Sequence, residues 1–77
     1  MIWIVGGTSD TIRLLDLLSD KIDFSKLIVS VTTDYGEQLL NSYKVKIIKG
    51  KIEKEEIQNF IEKNQIDIIV DTSHPYA

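Results

Sequence analysis

The chain has no cysteine, one proline, one histidine and only four glycines among its 77 residues. Without cysteine there can be no disulfide, no thiolate metal site and no cysteine nucleophile. With His74 as the sole imidazole and only Asp71 near it in sequence, a metal site is not expected, because such a site needs about three or four converging ligands. No Pro/Ser/Gly-rich linker, repeat or low-complexity run interrupts the chain. Excess charge of either sign is also missing: nine basic against twelve acidic side chains leave a net charge of -3. That balance offers no electrostatic reason to bind nucleic acid or an anionic membrane. The lysines between Lys44 and Lys51 are interleaved with Val and Ile, as on a solvated sheet edge. No apolar run approaches the roughly 20 residues that span a bilayer. Met1 to Val5 lacks the charged start and the length of a signal peptide, so the protein is expected to be cytoplasmic. A chain this short forms one domain at most and buries only roughly 60% of its unfolded surface.

Against these absences stands one dense stretch, Ile2-Trp3-Ile4-Val5-Gly6-Gly7-Thr8-Ser9-Asp10. It reads as a buried strand that breaks at a glycine turn and opens a helix. Two glycines at a strand end allow a sharp turn and close approach of a ligand, and Thr, Ser and Asp are helix-capping residue types. An anion there would meet free N–H groups and the positive end of a helix dipole. The same residues also describe an ordinary tight turn with an N-cap.

After the turn, Ile12, Leu15 and Leu18, with Leu14 and Ile22, recur at helical period. Asp20 to Lys26 carries the chain back across the sheet. Leu27 to Thr32 is apolar on both faces, as expected of a strand covered on two sides. Asp34-Tyr35-Gly36 ends it, and Gly36 to Ser42 has room for a short helix with Leu39 and Leu40 inward. Val45 to Lys49 forms a third strand, which Lys44, Lys46 and Lys49 mark as an edge. Gly50 closes it. A helix with Glu53, Glu55 and Glu56 in its first turn and Ile57, Phe60 and Ile61 buried follows, with its exit at Asn64-Gln65. Ile66 to Val70 is a fourth strand, ending before Asp71 and the segment Thr72 to Ala77.

Strands alternating with helices predict an α/β fold: a Rossmann-like open parallel sheet of four strands, in the order 3-2-1-4, with helices on both faces. In that order the chain reverses between strands one and four, and open α/β sheets bind ligands at the carboxyl ends of the strands flanking such a switch point. Gly6-Gly7-Thr8 and Thr72-Ser73-His74 are therefore expected to be neighbours. The fingerprint G-x-G-x-x-G is incomplete, since Gly6 and Gly7 are adjacent and Thr, Ser, Asp and Thr follow. Strand two ends in Val31-Thr32-Thr33, where NAD-preferring folds carry an acid for the ribose hydroxyls. Its absence leans towards NADP unless Asp34 turns inward, although a Thr pair also fits simple β-propensity. His74 precedes Pro75, which restricts its backbone to extended geometry, and its place at the switch point gives it either a ligand-contacting or a plain loop role. Ser73 beside His74 is no hydrolase signal, because the G-x-S-x-G elbow is missing.

Three segments together carry a family resemblance: Gly6-Gly7-Thr8-Ser9-Asp10, then Thr32-Thr33-Asp34-Tyr35-Gly36, then Asp71-Thr72-Ser73-His74-Pro75-Tyr76-Ala77. In order and spacing they resemble the amino-terminal half of the precorrin-6A reductase family of cobalamin biosynthesis. That family carries a G-G-T-x-E-x-R turn, a T-x-Y-G segment and a D-A-T-H-P-[FY]-A loop. The chain departs from it where Asp10 replaces the glutamate, where Ile12 stands at the arginine position with Arg13 one later, and where Thr72-Ser73 replaces Ala-Thr. One residue on a helix is a rotation of about 100°, so the arginine's role does not transfer to Arg13.

The resemblance implies an NADPH-dependent reductase that adds a hydride to a ring double bond of precorrin-6A or its cobalt complex, a polycarboxylate tetrapyrrole. It further implies that Gly7, Thr8 and Ser9 hold the pyrophosphate, with Gly6 also binding cofactor, that Thr32 and Thr33 lie near the adenosine ribose phosphate, and that Thr72, Ser73, His74 and Tyr76 line the nicotinamide side. No proton donor stands out. Family chains are longer and continue into a second, substrate-binding α/β domain, so residues 1–77 are expected to bind cofactor without reducing substrate. Strand four lacks edge-blocking residues, and weak self-association through it is expected. Gly7→Val is expected to stop cofactor binding while leaving strand and helix in place.

Rival readings of the same fold are another nucleotide-cofactor enzyme and a regulatory or receiver-like module. A short-chain dehydrogenase or epimerase would need a Tyr-x-x-x-Lys pair, which the chain lacks. A receiver-like module would need carboxylates converging on Mg²⁺ at a strand end, where this chain has Gly6-Gly7. A regulatory nucleotide-binding module stays open.

Overall fold

The computed structural model describes residues 1–72. Four strands, β1 (Ile2–Val5), β2 (Leu27–Val31), β3 (Lys46–Lys49) and β4 (Ile68–Asp71), alternate with three helices, α1 (Ser9–Leu18), α2 (Asp34–Leu40) and α3 (Lys54–Asn64). The sheet is entirely parallel in the order β3-β2-β1-β4. This is the Rossmann-like α/β architecture that the alternation predicts, with its reversal between β1 and β4.

Strand periodicity divides the side chains between two faces. Ile4 of β1 and Leu27, Val29 and Val31 of β2 form a fully buried cluster with Leu15 of α1 and Leu40 of α2, joined at its margin by Ile47 and Val70. Trp3 points the other way, where its ring meets Phe60 of α3 edge-on at 4.6 Å. Its indole N–H donates to Ser30 Oγ at 2.8 Å, so the polar group of a central strand is satisfied inside the sheet. All five residues of β2 are buried, in keeping with a strand covered on both sides.

Several boundaries differ from the sequence reading, each for a local reason. α1 ends at Leu18, and Ile22 packs on the core from the loop beyond it. The return segment contains a 3₁₀ turn over Phe24–Lys26, which Asp23 caps by accepting from the Ser25 amide at 2.9 Å. α2 begins at Asp34, two residues before the expected start, because Thr33 caps it by accepting from the Gly36 amide at 2.9 Å. α3 stops where Gln65 adopts a left-handed conformation at φ 53°. Its expected buried face is only half-buried at Ile57, Phe60 and Ile61. β3 exposes Lys46 and Lys49 along one edge. β4 lies at the opposite edge, with Ile68 53% and Ile69 48% exposed.

Candidate functional site

The turn after β1 is shaped by backbone contact. The Gly6 amide donates to Ser30 O at 2.9 Å, extending the β1 to β2 pairing by one rung. Gly7 then takes φ +113°, a value that side-chain-bearing residues rarely adopt. A Cβ on Gly7 would stand 3.2 Å from Val31 Cγ1, and one on Gly36 would stand 3.1 Å from Gly7 Cα. The two glycines thus bring the β1–α1 turn against the first turn of α2. This corrects the expectation for Gly7→Val: the added side chain would strain the backbone and press into the β2–α2 junction, so the fold itself would be disturbed.

The residue that organises the turn is Thr11, which the sequence reading passed over. It is fully buried. Its Oγ1 accepts from the Gly7 amide at 3.0 Å and, more weakly, from the Thr8 amide at 3.4 Å. The same oxygen lies 2.7 Å from Thr72 Oγ1, and Thr72 Oγ1 donates to Val5 O at 2.9 Å. Since Thr72 has only one hydroxyl proton, Thr11 must be the donor between the two hydroxyls. The Thr72 amide also donates to Val5 O, at 2.8 Å, and Thr8 Oγ1 donates to Thr72 O at 3.3 Å. The ends of β1 and β4 are therefore stitched together, and the switch point joins Gly6, Gly7, Thr8 and Thr72 as the topology requires. A signal for Thr11 was available: it stands four residues before Leu15 and seven before Leu18, a polar residue on the inward stripe of α1.

The network also decides which donors remain for a ligand. The Gly7 amide is engaged by Thr11, which leaves the amides of Ser9 and Asp10, the first of α1, without intrahelical partners by helix geometry. Thr8 and Ser9 are exposed beside them. Arg13 Nη1 lies 3.7 Å from Asp10 Oδ1, so the guanidinium sits beside the acid that would otherwise oppose an anion at this helix end. Ser73, His74 and Tyr76 lie outside the described residues.

At the end of β2, Thr32 and Thr33 are both exposed, and the Thr33 hydroxyl oxygen is engaged as the α2 cap. Asp34, whose charge bears on cofactor choice, forms an ion pair with Lys49. Between the sheet and α3, a cavity of about 380 Å³ extends from Gly6 past Trp3 and Thr32 to Gly50, Lys51 and Ile52 of the β3–α3 loop. Among the described residues, no group of three or more His, Cys, Asp or Glu side chains could hold a metal ion. No helix among them is long and apolar enough to cross a membrane.

Known proteins resemble the chain along its whole length. The family described as precorrin-6x reductase CbiJ/CobK matches residues 1–77. A cobalt-precorrin-6A reductase of Methanocaldococcus jannaschii is 39% identical over 74 residues, covering 96% of this chain and 29% of that protein. One of Priestia megaterium is 35% identical over 77 residues, covering all of this chain and 29% of its own length. One of Methanococcus maripaludis is 30% identical over 76 residues, covering 99% of this chain and 31% of its own. The chain thus spans under a third of the length of these curated relatives. No solved structure matches it. A sheet with its switch point at a Gly-Gly-Thr turn, and a family match from the first residue to the last, make this chain a member of the precorrin-6x reductase family of cobalamin biosynthesis.

Proposed function

We propose that residues 1–77 are the cofactor-binding part of an NADPH-dependent reductase that adds a hydride to a ring double bond of precorrin-6A or its cobalt complex. The observation that supports this reading is the convergence of the Gly6-Gly7 turn, the α1 amino terminus and Thr72 at the sheet's switch point, the position where open α/β sheets take nucleotides. The pyrophosphate would lie against Gly6, Gly7, Thr8 and the leading amides of α1. The adenosine ribose would lie towards Thr32 and Thr33, and the nicotinamide beyond Thr72, with Ser73, His74 and Tyr76 as the residues proposed to line it. The cofactor supplies the hydride chemistry, and the chain's own task is to fix its position.

Preference for NADPH follows from charge. Asp34, the carboxylate that follows the end of β2, is paired with Lys49. That pairing offsets the repulsion a 2'-phosphate would meet from Asp34. Titration of the chain with NADPH and NADH, followed by nicotinamide fluorescence, should give at least about a tenfold preference for NADPH, or about 1.4 kcal/mol. Equal affinities would remove the assignment of Thr32 and Thr33. The whole reductase's substrate is a polycarboxylate corrinoid on this reading.

A further inference from the structure

We infer that Lys51 is the cation that reads the 2'-phosphate of the adenosine ribose, a specificity role that rests on the cofactor assignment proposed above. Two observations place it there. The Gly50 amide donates to Val31 O at 2.8 Å, so the start of the β3–α3 loop is tied to the last residue of β2. Lys51, the next residue, lines the same cavity as Thr32 and Gly6. A ribose seated at the end of β2, with its pyrophosphate at the Gly6-Gly7 turn, therefore has Lys51 beside it.

The neighbouring charges single this lysine out. Lys49 is occupied by Asp34, whereas Lys51 has no hydrogen-bond or ion-pair partner among the described residues. Lys46 and Lys63 line an adjoining groove between β3 and α3, which shares Gly50, Lys51 and Ile52 with the cavity, and neither of the two lines the cavity beside Thr32. An exposed ammonium lining the cavity suits a phosphate, which it meets as a point charge without a fixed fork geometry. The cavity behind it has an apolar wall of Trp3, Ile52 and Ile57, chemically suited to the flat face of a purine. Gly50, at φ +120°, turns the chain sharply from β3 into this loop.

The test compares wild-type chain with Lys51→Ala, Lys51→Arg and Lys63→Ala, titrating each with NADPH and NADH and monitoring folding by circular dichroism. Lys51→Ala should weaken NADPH binding about tenfold to a hundredfold, the range of a charge-assisted hydrogen bond, and leave NADH binding unchanged. Lys51→Arg should keep the preference, and Lys63→Ala should change neither affinity. If wild type prefers NADPH and Lys51→Ala keeps that preference, the role of Lys51 is overturned while the cofactor assignment stands. Equal weakening of both cofactors by Lys51→Ala, or the same NADPH loss in Lys63→Ala, would mean a general field and overturn the assignment to Lys51. A wild-type chain that binds neither cofactor, or both equally, overturns both readings together.

Discussion

The two faces of the sheet are packed to different standards. On the side of α1 and α2, Ile4, Leu15, Leu27, Val29 and Leu40 are all fully buried and form one continuous cluster. On the side of α3, Trp3 and Ile28 are buried, but α3 itself contributes no buried residue and leaves a cavity of about 380 Å³ next to Trp3. Two helices close one face, while one helix must cover the other. The first face is therefore the folding core, and the second keeps room beside the carboxyl ends of the strands, where a ligand belongs in this architecture. The Gly6 turn lies between them: a Cβ on Gly6 would collide with Thr11 Oγ1 on the α1 side, yet the residue also lines the α3-side cavity.

If this division is right, equal truncations on the two faces should have unequal effects. Leu15→Ala removes a fully buried side chain, and losses at such sites run at about 3 kcal/mol, including the cavity left behind. Ile57→Ala removes a half-buried side chain bordering a space that already exists, so only about 1 kcal/mol of transfer energy should be lost. In a domain with a total stability of roughly 5 kcal/mol, the first change should populate unfolded chain at room temperature and the second should not. Urea denaturation followed by circular dichroism reads both. Equal losses would mean that the faces share one core.

The boundary between the faces is sharpened by Gly6→Ala. The added methyl would displace the Thr11 hydroxyl and approach within 2.7 Å of Thr72 Oγ1, disrupting the bonds that hold the Gly7 amide and the start of the β4 exit. The expected loss is about 2 kcal/mol, together with weaker cofactor binding, because the turn would be reshaped. Thr11→Ala should also destabilise, by about 1 kcal/mol, since it leaves the half-buried Gly7 amide without its partner. In the double variant the obstruction is gone, so the combined loss should fall below the sum of the two. A double-mutant cycle on denaturation free energies gives this coupling, and strict additivity would mean that Gly6 and Thr11 do not meet.

What was legible in advance follows the same division. Strand order and the meeting of Gly6-Gly7-Thr8 with Thr72 could be read because hydrophobic period and right-handed crossover leave few topologies open. The edge role of β3 could be read from Lys46 and Lys49, since charge on an edge is a local signal. Thr11 was missed because threonine in a helix ordinarily marks weak propensity, and its partner Thr72 is 61 residues away. The start of α2 is not legible in sequence because Thr33 could equally end a strand or cap a helix, and only the bond from the Gly36 amide decides between them. The gap beneath α3 leaves no trace in sequence either, since Ile57, Phe60 and Ile61 have the pattern of a fully buried stripe. Burial of that stripe depends on how many helices share the face.

The smallest effect is expected at the rim of the closed face, far from the turn. Tyr43 packs on the core cluster, and its hydroxyl donates to Asp16 Oδ1 of α1 at 2.8 Å. This bond to the carboxylate holds the phenol above its ordinary value of 10.0, helped by partial desolvation and by the negative charge of Asp16. A phenol whose folded value exceeds its unfolded one contributes stability that is fully present below about pH 10, the unfolded value, and is lost as pH rises through the higher folded value. Tyr43→Phe keeps the ring and removes the proton, so the variant should be slightly less stable than wild type from pH 7 to 9. Above pH 10 the wild type must give up the same bond, and the two denaturation midpoints should converge. Because lysines also discharge in that range, the informative quantity is the difference between the two proteins at each pH. A difference that persists unchanged beyond pH 11 would mean that the hydroxyl acts by packing alone and that its bond to Asp16 does not help hold α1 against the sheet.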